Sequence, residues 1–209
     1  MADVECPYVS RGGMKLQAAL DAFGLSPAGW SAADLGCNVG GFTDCLLQRG
    51  AEKVWAVDTG YGTFAWKLRQ DPRVVVLERQ NALHLDPATL AGFAPVDLVV
   101  VDLGWTRQKH AVPAALRWVK PAGLIITLIK PHYESQQQQL RGKRGVLSDD
   151  DAAAVVQRVL TELPALGVTL LGDMASPIRG GAGKGRSGNL EHLALLKPGG
   201  PGEPGEPGR

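Results

Sequence analysis

Short apolar runs that leave no room for a polar face limit the folds open to this chain more than any other feature. Val96-Asp-Leu-Val-Val-Val-Asp102 and Gly123-Leu-Ile-Ile-Thr-Leu-Ile129 stack apolar, largely β-branched residues at consecutive positions. Strands of that kind are buried on both faces, which is the condition inside a parallel sheet covered by helices. Shorter runs at Ala32–Gly36, Lys53–Asp58 and Arg73–Leu77 read as companion strands, and helical patterns separate them at Gly40–Arg49, Phe64–Gln70 and Ala111–Val119. The alternation is β-α-β-α-β, whose crossovers run right-handed into a parallel sheet. An amphipathic helix with Leu16, Ala19, Leu20 and Phe23 on one face is expected over Gly13–Phe23, before the first strand.

After the fifth strand the pattern changes. Glu134–Val146 holds four glutamines and then Arg141-Gly-Lys-Arg144, without apolar period, and is expected to be a mobile loop. Ser148 followed by Asp149, Asp150 and Asp151 forms an N-cap and acidic first turn for a helix to about Leu163. Val168–Leu171 and Leu190–Leu196 supply two late strands, with a glycine-rich stretch at Ile178–Asn189 between them. The chain of 209 residues is 44% hydrophobic and suits one α/β domain over residues 1–197. Residues 198–209 repeat Gly-Glu-Pro and are expected to be a disordered tail.

A net charge of +1 neither demands nor excludes a nucleic-acid partner, so any basic surface must be local. Cys6, Cys37 and Cys45 are odd in number and lack Cys-x-x-Cys spacing, which argues against a disulfide framework or zinc site and for a reducing compartment. Asp3 and Glu5 stand where a secretory leader would be basic, and no apolar stretch approaches the roughly 18 residues needed to span a bilayer. A cytoplasmic protein is expected.

The chemistry gathers at the strand ends. Lys130 closes the fifth strand and meets Pro131, and the carboxyl ends of such strands are where open α/β sheets bind ligands. A lysine that merely snorkels from a strand end is the plainer alternative. Asp34-Leu-Gly36-Cys-Asn-Val-Gly40-Gly41-Phe42 leaves the first strand with an acidic residue and a loose glycine turn. Dinucleotide sites use the tighter Gly-x-Gly-x-x-Gly to seat a pyrophosphate, whereas this looser turn suits a ligand without phosphates, such as S-adenosylmethionine. Asp58 ends the second strand, placed to accept ribose hydroxyls. Asn81 beyond the third could read an adenine edge or simply form a turn. Cys37 is read as a small packing residue rather than a reactive thiol.

These blocks, together with Tyr8-Val-Ser-Arg-Gly-Gly-Met-Lys15, Gly40-Gly-Phe-Thr-Asp-Cys-Leu-Leu-Gln-Arg-Gly-Ala51, Ile129-Lys-Pro-His-Tyr-Glu134, Ser176-Pro-Ile and Gly188-Asn-Leu-Glu191, resemble the TlyA (hemolysin A-like) proteins among the FtsJ-type ribosomal RNA 2′-O-methyltransferases. The resemblance runs from Tyr8 to Leu196. It implies a class I, Rossmann-like S-adenosylmethionine-dependent fold, a mostly parallel seven-stranded sheet with an antiparallel last strand. It maps a catalytic Lys-Asp-Lys-Glu tetrad onto Lys15, Asp102, Lys130 and Glu191, and cofactor contacts onto Asp34, Gly36, Gly40, Phe42, Asp58, Asn81 and Asp102. Family members usually begin with an S4 RNA-binding domain. Only seven residues precede Tyr8, so the catalytic domain alone is expected. The family's Val-Ser-Phe-Ile-Ser after the strand-four aspartate is here Leu103-Gly-Trp-Thr-Arg107, and its Lys-Pro-Gln-Phe-Glu is Lys130-Pro-His-Tyr-Glu134.

On this reading Lys130 is the general base for a ribose hydroxyl and must lie within about 3 Å of it. Burial and a neighbouring cation are expected to lower its pKa, with Asp102 orienting it and Lys15 with Glu191 as an electrostatic pair. Other acceptors leave marks that are absent. There is no Asn/Asp-Pro-Pro-aromatic turn for exocyclic amines, no cysteine after Cys45 for pyrimidine carbons, and His84, His110, His132 and His192 are scattered rather than clustered for a metal. RNA phosphates would meet Arg11, Arg141, Lys143, Arg144, Arg179, Lys184 and Arg186. Trp105 would either stack on a splayed base or pack inside. A catalytically silent RNA-binding module is the main alternative, and a nicotinamide oxidoreductase a weaker one.

Overall fold

A computed structural model describes residues 6–135, 147–181 and 188–199. Five parallel strands form most of the sheet: β1 (Ser31–Leu35), β2 (Lys53–Val57), β3 (Val74–Leu77), β4 (Val96–Val101) and β5 (Val119–Ile129). β6 (Val168–Ala175) and β7 (His192–Pro198) complete seven strands in the order β3-β2-β1-β4-β5-β7-β6, and β7 runs antiparallel to both its neighbours. The expected architecture is therefore observed. The order reverses between β1 and β4, so the chain leaves Leu35 and Val101 in opposite lateral directions and opens a crevice at their carboxyl ends.

Among the described residues six α-helices flank the sheet: α1 (Gly12–Ala22), α2 (Gly41–Gln48), α3 (Trp66–Arg69), α4 (Gln108–Leu116), α5 (Pro131–Glu134) and α6 (Asp149–Glu162). The apolar runs feed two layers. Leu98 and Val100 of β4 pack with Leu16, Leu20, Phe42 and Leu46 of α1 and α2. Val99 and Val101 face the other way, with Ala111, Val112, Val155 and Val159 of α4 and α6. Alternate residues of one strand thus serve opposite cores, which is why the run contains no polar position to spare.

Differences from the sequence reading are local. α4 begins at Gln108 rather than Ala111 and stops at Leu116, because Val119 already pairs with Val96 at the start of β5. Lys120 precedes Pro121, a context that favours extended backbone. β6 continues through Gly172 and Asp173, poor strand formers carried by pairing with β7. Glu134, read as the start of a loop, ends the one-turn helix α5 and is buried. β7 extends to Pro198, and the Gly199 N–H donates to Gly167 O at 3.0 Å. Residues 136–146, expected as a loop, and residues 200–209, expected as a tail, lie outside the described residues. Among the described residues no helix is long and apolar enough to cross a membrane.

Candidate active site

Three strand ends are laced together at the switch point. The Gly36 N–H donates to Val57 O at 2.8 Å, and the Asp102 N–H donates to Leu35 O at 2.9 Å. Gly36 sits at φ 93°, and a Cβ there would stand 2.5 Å from Asp102 O, so only glycine lets the β1 exit pass the β4 exit this closely. Gly40, at φ 101°, has a different reason. A Cβ there would meet Leu68 Cδ1 at 2.5 Å and Phe64 Cε2 at 2.8 Å. Gly40 lets α2 start against the core, while its neighbours Val39 and Gly41 border the smaller of the two cavities described below.

Asp34 lies fully buried on β1, where Oδ2 accepts the Thr43 N–H at 3.0 Å and the Thr43 hydroxyl at 2.7 Å. It thereby satisfies a first-turn amide of α2, whose N-cap glycine has no side chain to do so. Its Oδ1 is buried without a protein partner. Burial pushes this carboxyl up to about 7; Thr43 opposes the rise, while Asp102 and Asp58 add to it. Asp58 is held from both sides, Oδ2 accepting the Asn38 N–H at 2.8 Å and Oδ1 the Gly60 N–H at 2.7 Å. Each oxygen keeps a lone pair for a further donor such as a hydroxyl.

Two cavities meet here. The larger, about 490 Å³, is bordered by Asp58, Asn81, Leu83, Leu103, Trp105 and Lys130. The smaller, about 260 Å³, is bordered by Arg11, Lys15, Asp34, Phe42, Arg179 and Gly180. Gly36, Asn38 and Asp102 line both. Asn81 forms a turn, its Oδ1 accepting the Leu83 N–H at 2.9 Å, and it borders the larger cavity as well. Cys37 is buried and its thiol is pushed up by burial, in keeping with a packing role.

The four polar residues singled out in the sequence come together as two ion pairs, Lys130 with Asp102 and Lys15 with Glu191. Sheet register does much of this. Ile129 pairs with His192 across β5 and β7, so Lys130 and Glu191, the next residues outward, emerge side by side. Lys15 comes in from α1, buried beside Glu191. Burial alone would lower the Lys130 pKa, but the charge and hydrogen bond of Asp102, helped by Glu191, outweigh it and hold the amine above the ordinary lysine value. The expectation of a lowered pKa is thus reversed, because carboxylates face Lys130 and the nearby cation Lys15 is matched to Glu191.

The residues read as RNA contacts fare unevenly. Trp105 is 88% exposed, which excludes the packed alternative, and it adopts φ 56°, rare for a bulky residue. Its ring lies 5.1 Å from that of Tyr133 between centroids, and Lys130 Nζ stands 5.7 Å from the Tyr133 centroid. Arg11 borders the smaller cavity. Arg179 also borders it, but its guanidinium is bidentate to Asp149 at 2.9 and 2.7 Å, at the start of α6. Arg141, Lys143, Arg144, Lys184 and Arg186 lie outside the described residues. Sequence reasoning missed the buried set Gln108, Thr127 and Glu134, and the His192–Asp173 contact at 2.6 Å. Glu134 stood in a quoted block and could have been flagged, whereas nothing around Gln108 marks it as buried. Among the described residues no cluster of three or more His, Cys, Asp or Glu could hold a metal ion.

Known proteins share the fold and much of the sequence of this chain. Residues 8–184 match the model of the FtsJ-like methyltransferase family. The 16S/23S rRNA (cytidine-2′-O)-methyltransferase TlyA of Mycobacterium tuberculosis is 42% identical over 94% of this chain and 71% of its own length. A solved structure of a candidate hemolysin from Streptococcus thermophilus superposes with a TM-score of 0.86 at 32% identity, covering 95% of this chain and 70% of that one. An S-adenosylmethionine-dependent methyltransferase from Mesorhizobium loti shares the fold at 14% identity, with a TM-score of 0.60 over 90% of this chain and 99% of that one.

Proposed function

The chain belongs to the FtsJ-like methyltransferase family, and from that premise we propose that it moves a methyl group from S-adenosylmethionine to a ribose 2′-hydroxyl of RNA, with ribosomal RNA as the substrate class. The observation that carries this reading is the meeting of the Lys130–Asp102 and Lys15–Glu191 pairs at the rim where two cavities join. The residues fit the cofactor. Asp58 and Asn81 border a cavity large enough for a nucleoside, and the Gly36 turn brings bare backbone against Asp102. When bound, the cofactor supplies an electrophilic methyl on a sulfonium.

Lys130 must then be free to receive the hydroxyl proton. As an ammonium held by Asp102 it cannot, and a second positive charge beside Asp102 would weaken that hold and push the Lys130 pKa down. Until then the ammonium can orient the ribose oxygen by donating to it. Lys15 and Glu191 form the buried floor of this arrangement, Glu191 keeping Lys15 neutralised. Trp105, exposed and tilted against Tyr133 beside Lys130, offers a face to an unstacked base. Methylation of total RNA with labelled cofactor, followed by digestion to nucleosides, tests the reading. Label on a ribose 2′-oxygen supports it, and label on a base, or none, counts against it.

A further inference from the structure

Two loops leave the site and are fastened to one another. One runs from Asp102 to Gln108, the start of α4, and the other from Lys130 to Glu134, the end of α5. Their first residues are joined by the Lys130–Asp102 ion pair. Midway, Trp105 leans on Tyr133, and Arg107 Nε donates to Tyr133 O at 3.2 Å. At the far end Glu134 Oε1 accepts the Gln108 N–H at 2.6 Å.

That last bond is not an ordinary helix cap. The N-cap residue of α4, Arg107, gives no side-chain cap, so the carboxylate of another loop takes the orphan amide. Glu134 and Gln108 are 6% and 4% exposed, so the bond is shielded from water. Gln108 continues the chain inward, donating from Nε2 to Leu128 O at 3.1 Å and accepting the Thr127 hydroxyl at 2.7 Å. Thr127 and Leu128 are the β5 residues just before Ile129 and Lys130. Arg158 of α6 holds the Glu134 carbonyl at 2.8 Å. The turn bearing Lys130 is therefore closed into a ring with the loop bearing Asp102 and anchored to its own strand.

From this ring we propose that Glu134 is a positioning residue for methyl transfer, fixing Lys130 against Asp102 and Tyr133 against Trp105 through its bond to α4. The proposal rests on the reading of Lys130 given above and deepens it. Glu134 borders neither of the two site cavities; it acts by holding the second loop in register with the first. Removing its carboxylate leaves a buried amide unpaired and frees α5 to drift from α4.

The test uses the whole chain and reads the amine directly. Lys130 acetylation by an activated acetate ester at pH 8.5, followed by peptide mass spectrometry, reports how firmly Asp102 holds the ammonium, because a drop of about one pKa unit makes roughly tenfold more free amine. Glu134→Ala is expected to speed labelling of Lys130 several-fold while leaving Lys15, paired with Glu191 outside the ring, at its original rate. Glu134→Gln keeps an oxygen for the Gln108 N–H and is expected to restore slow labelling, and methyl transfer should fall and recover in step. Should Glu134→Ala not fold, Glu134→Asp draws the carboxylate back from the Gln108 N–H and carries the same expectation. Unchanged Lys130 labelling, or equal rises at Lys130 and Lys15, overturns the proposal. Full methyl transfer by Lys130→Ala would instead sink the reading of Lys130 as base and leave the labelling result standing on its own.

Discussion

Replacing Asp34 with asparagine should make the protein less sensitive to alkali. The carboxyl is fully buried and is pushed from 3.8 to about 7, chiefly by burial. A carboxyl raised on folding favours the native state while it stays protonated and loses that advantage as pH climbs through the native value. Between pH 5.5 and 8.5 the shift costs the wild type about 2 kcal/mol, since the unfolded carboxyl is already ionised throughout while the native one keeps its proton up to about 7, and each unit is worth about 1.4 kcal/mol. Asparagine keeps an oxygen for the Thr43 N–H and hydroxyl and places an amide where Oδ1 lacks a protein partner. Urea unfolding of both proteins at the two pH values measures the difference. The stability of Asp34→Asn relative to wild type should rise by about 2 kcal/mol from the lower pH to the higher. Parallel pH curves would show that Asp34 does not ionise in this range, and the account of it as a buried carboxyl pushed up to about 7 would be wrong.

Because the hold of Asp102 raises the Lys130 pKa, the rate of methyl transfer under saturating cofactor should climb as pH rises from 7 to 9; a pH-independent rate across that span would deny a role to Lys130 deprotonation. Trp105→Ala should weaken RNA binding by about 1–3 kcal/mol, the worth of one stacked base, yet leave the unfolding midpoint unchanged, because the ring is 88% exposed. Filter binding with ribosomal RNA, alongside thermal melts, separates these effects, and unaltered affinity would remove Trp105 from the RNA surface.

Much of the fold could be read from the chain because its signals were local. Uninterrupted runs such as Leu98–Val101 have no polar face, so they demanded cover on both sides, and the structure supplies one helical layer for each. What escaped was set by pairing between distant segments. Gly172 and Asp173 lie in β6 because β7 holds them there, and Trp118–Val119 leaves the helix because Val96 captures Val119. The four residues of the two ion pairs could be singled out, but the charge state of Lys130 could not. It depends on which carboxylates face the amine, and that follows from the register of Ile129 with His192. The packing reason for Gly40 was equally hidden: a glycine in a turn looks alike in sequence whether or not it makes room for side chains such as Leu68 and Phe64.

The central claim is that Lys130 gives up and regains a proton as the ribose oxygen is methylated. Single-turnover methyl transfer to ribosomal RNA by Lys130→Arg tests it most directly, because arginine keeps the positive charge and the partnership with Asp102 but does not deprotonate in this range. The account predicts loss of at least about a hundredfold in rate, with cofactor affinity by calorimetry close to wild type. An arginine variant that methylates ribose at the wild-type rate would contradict it.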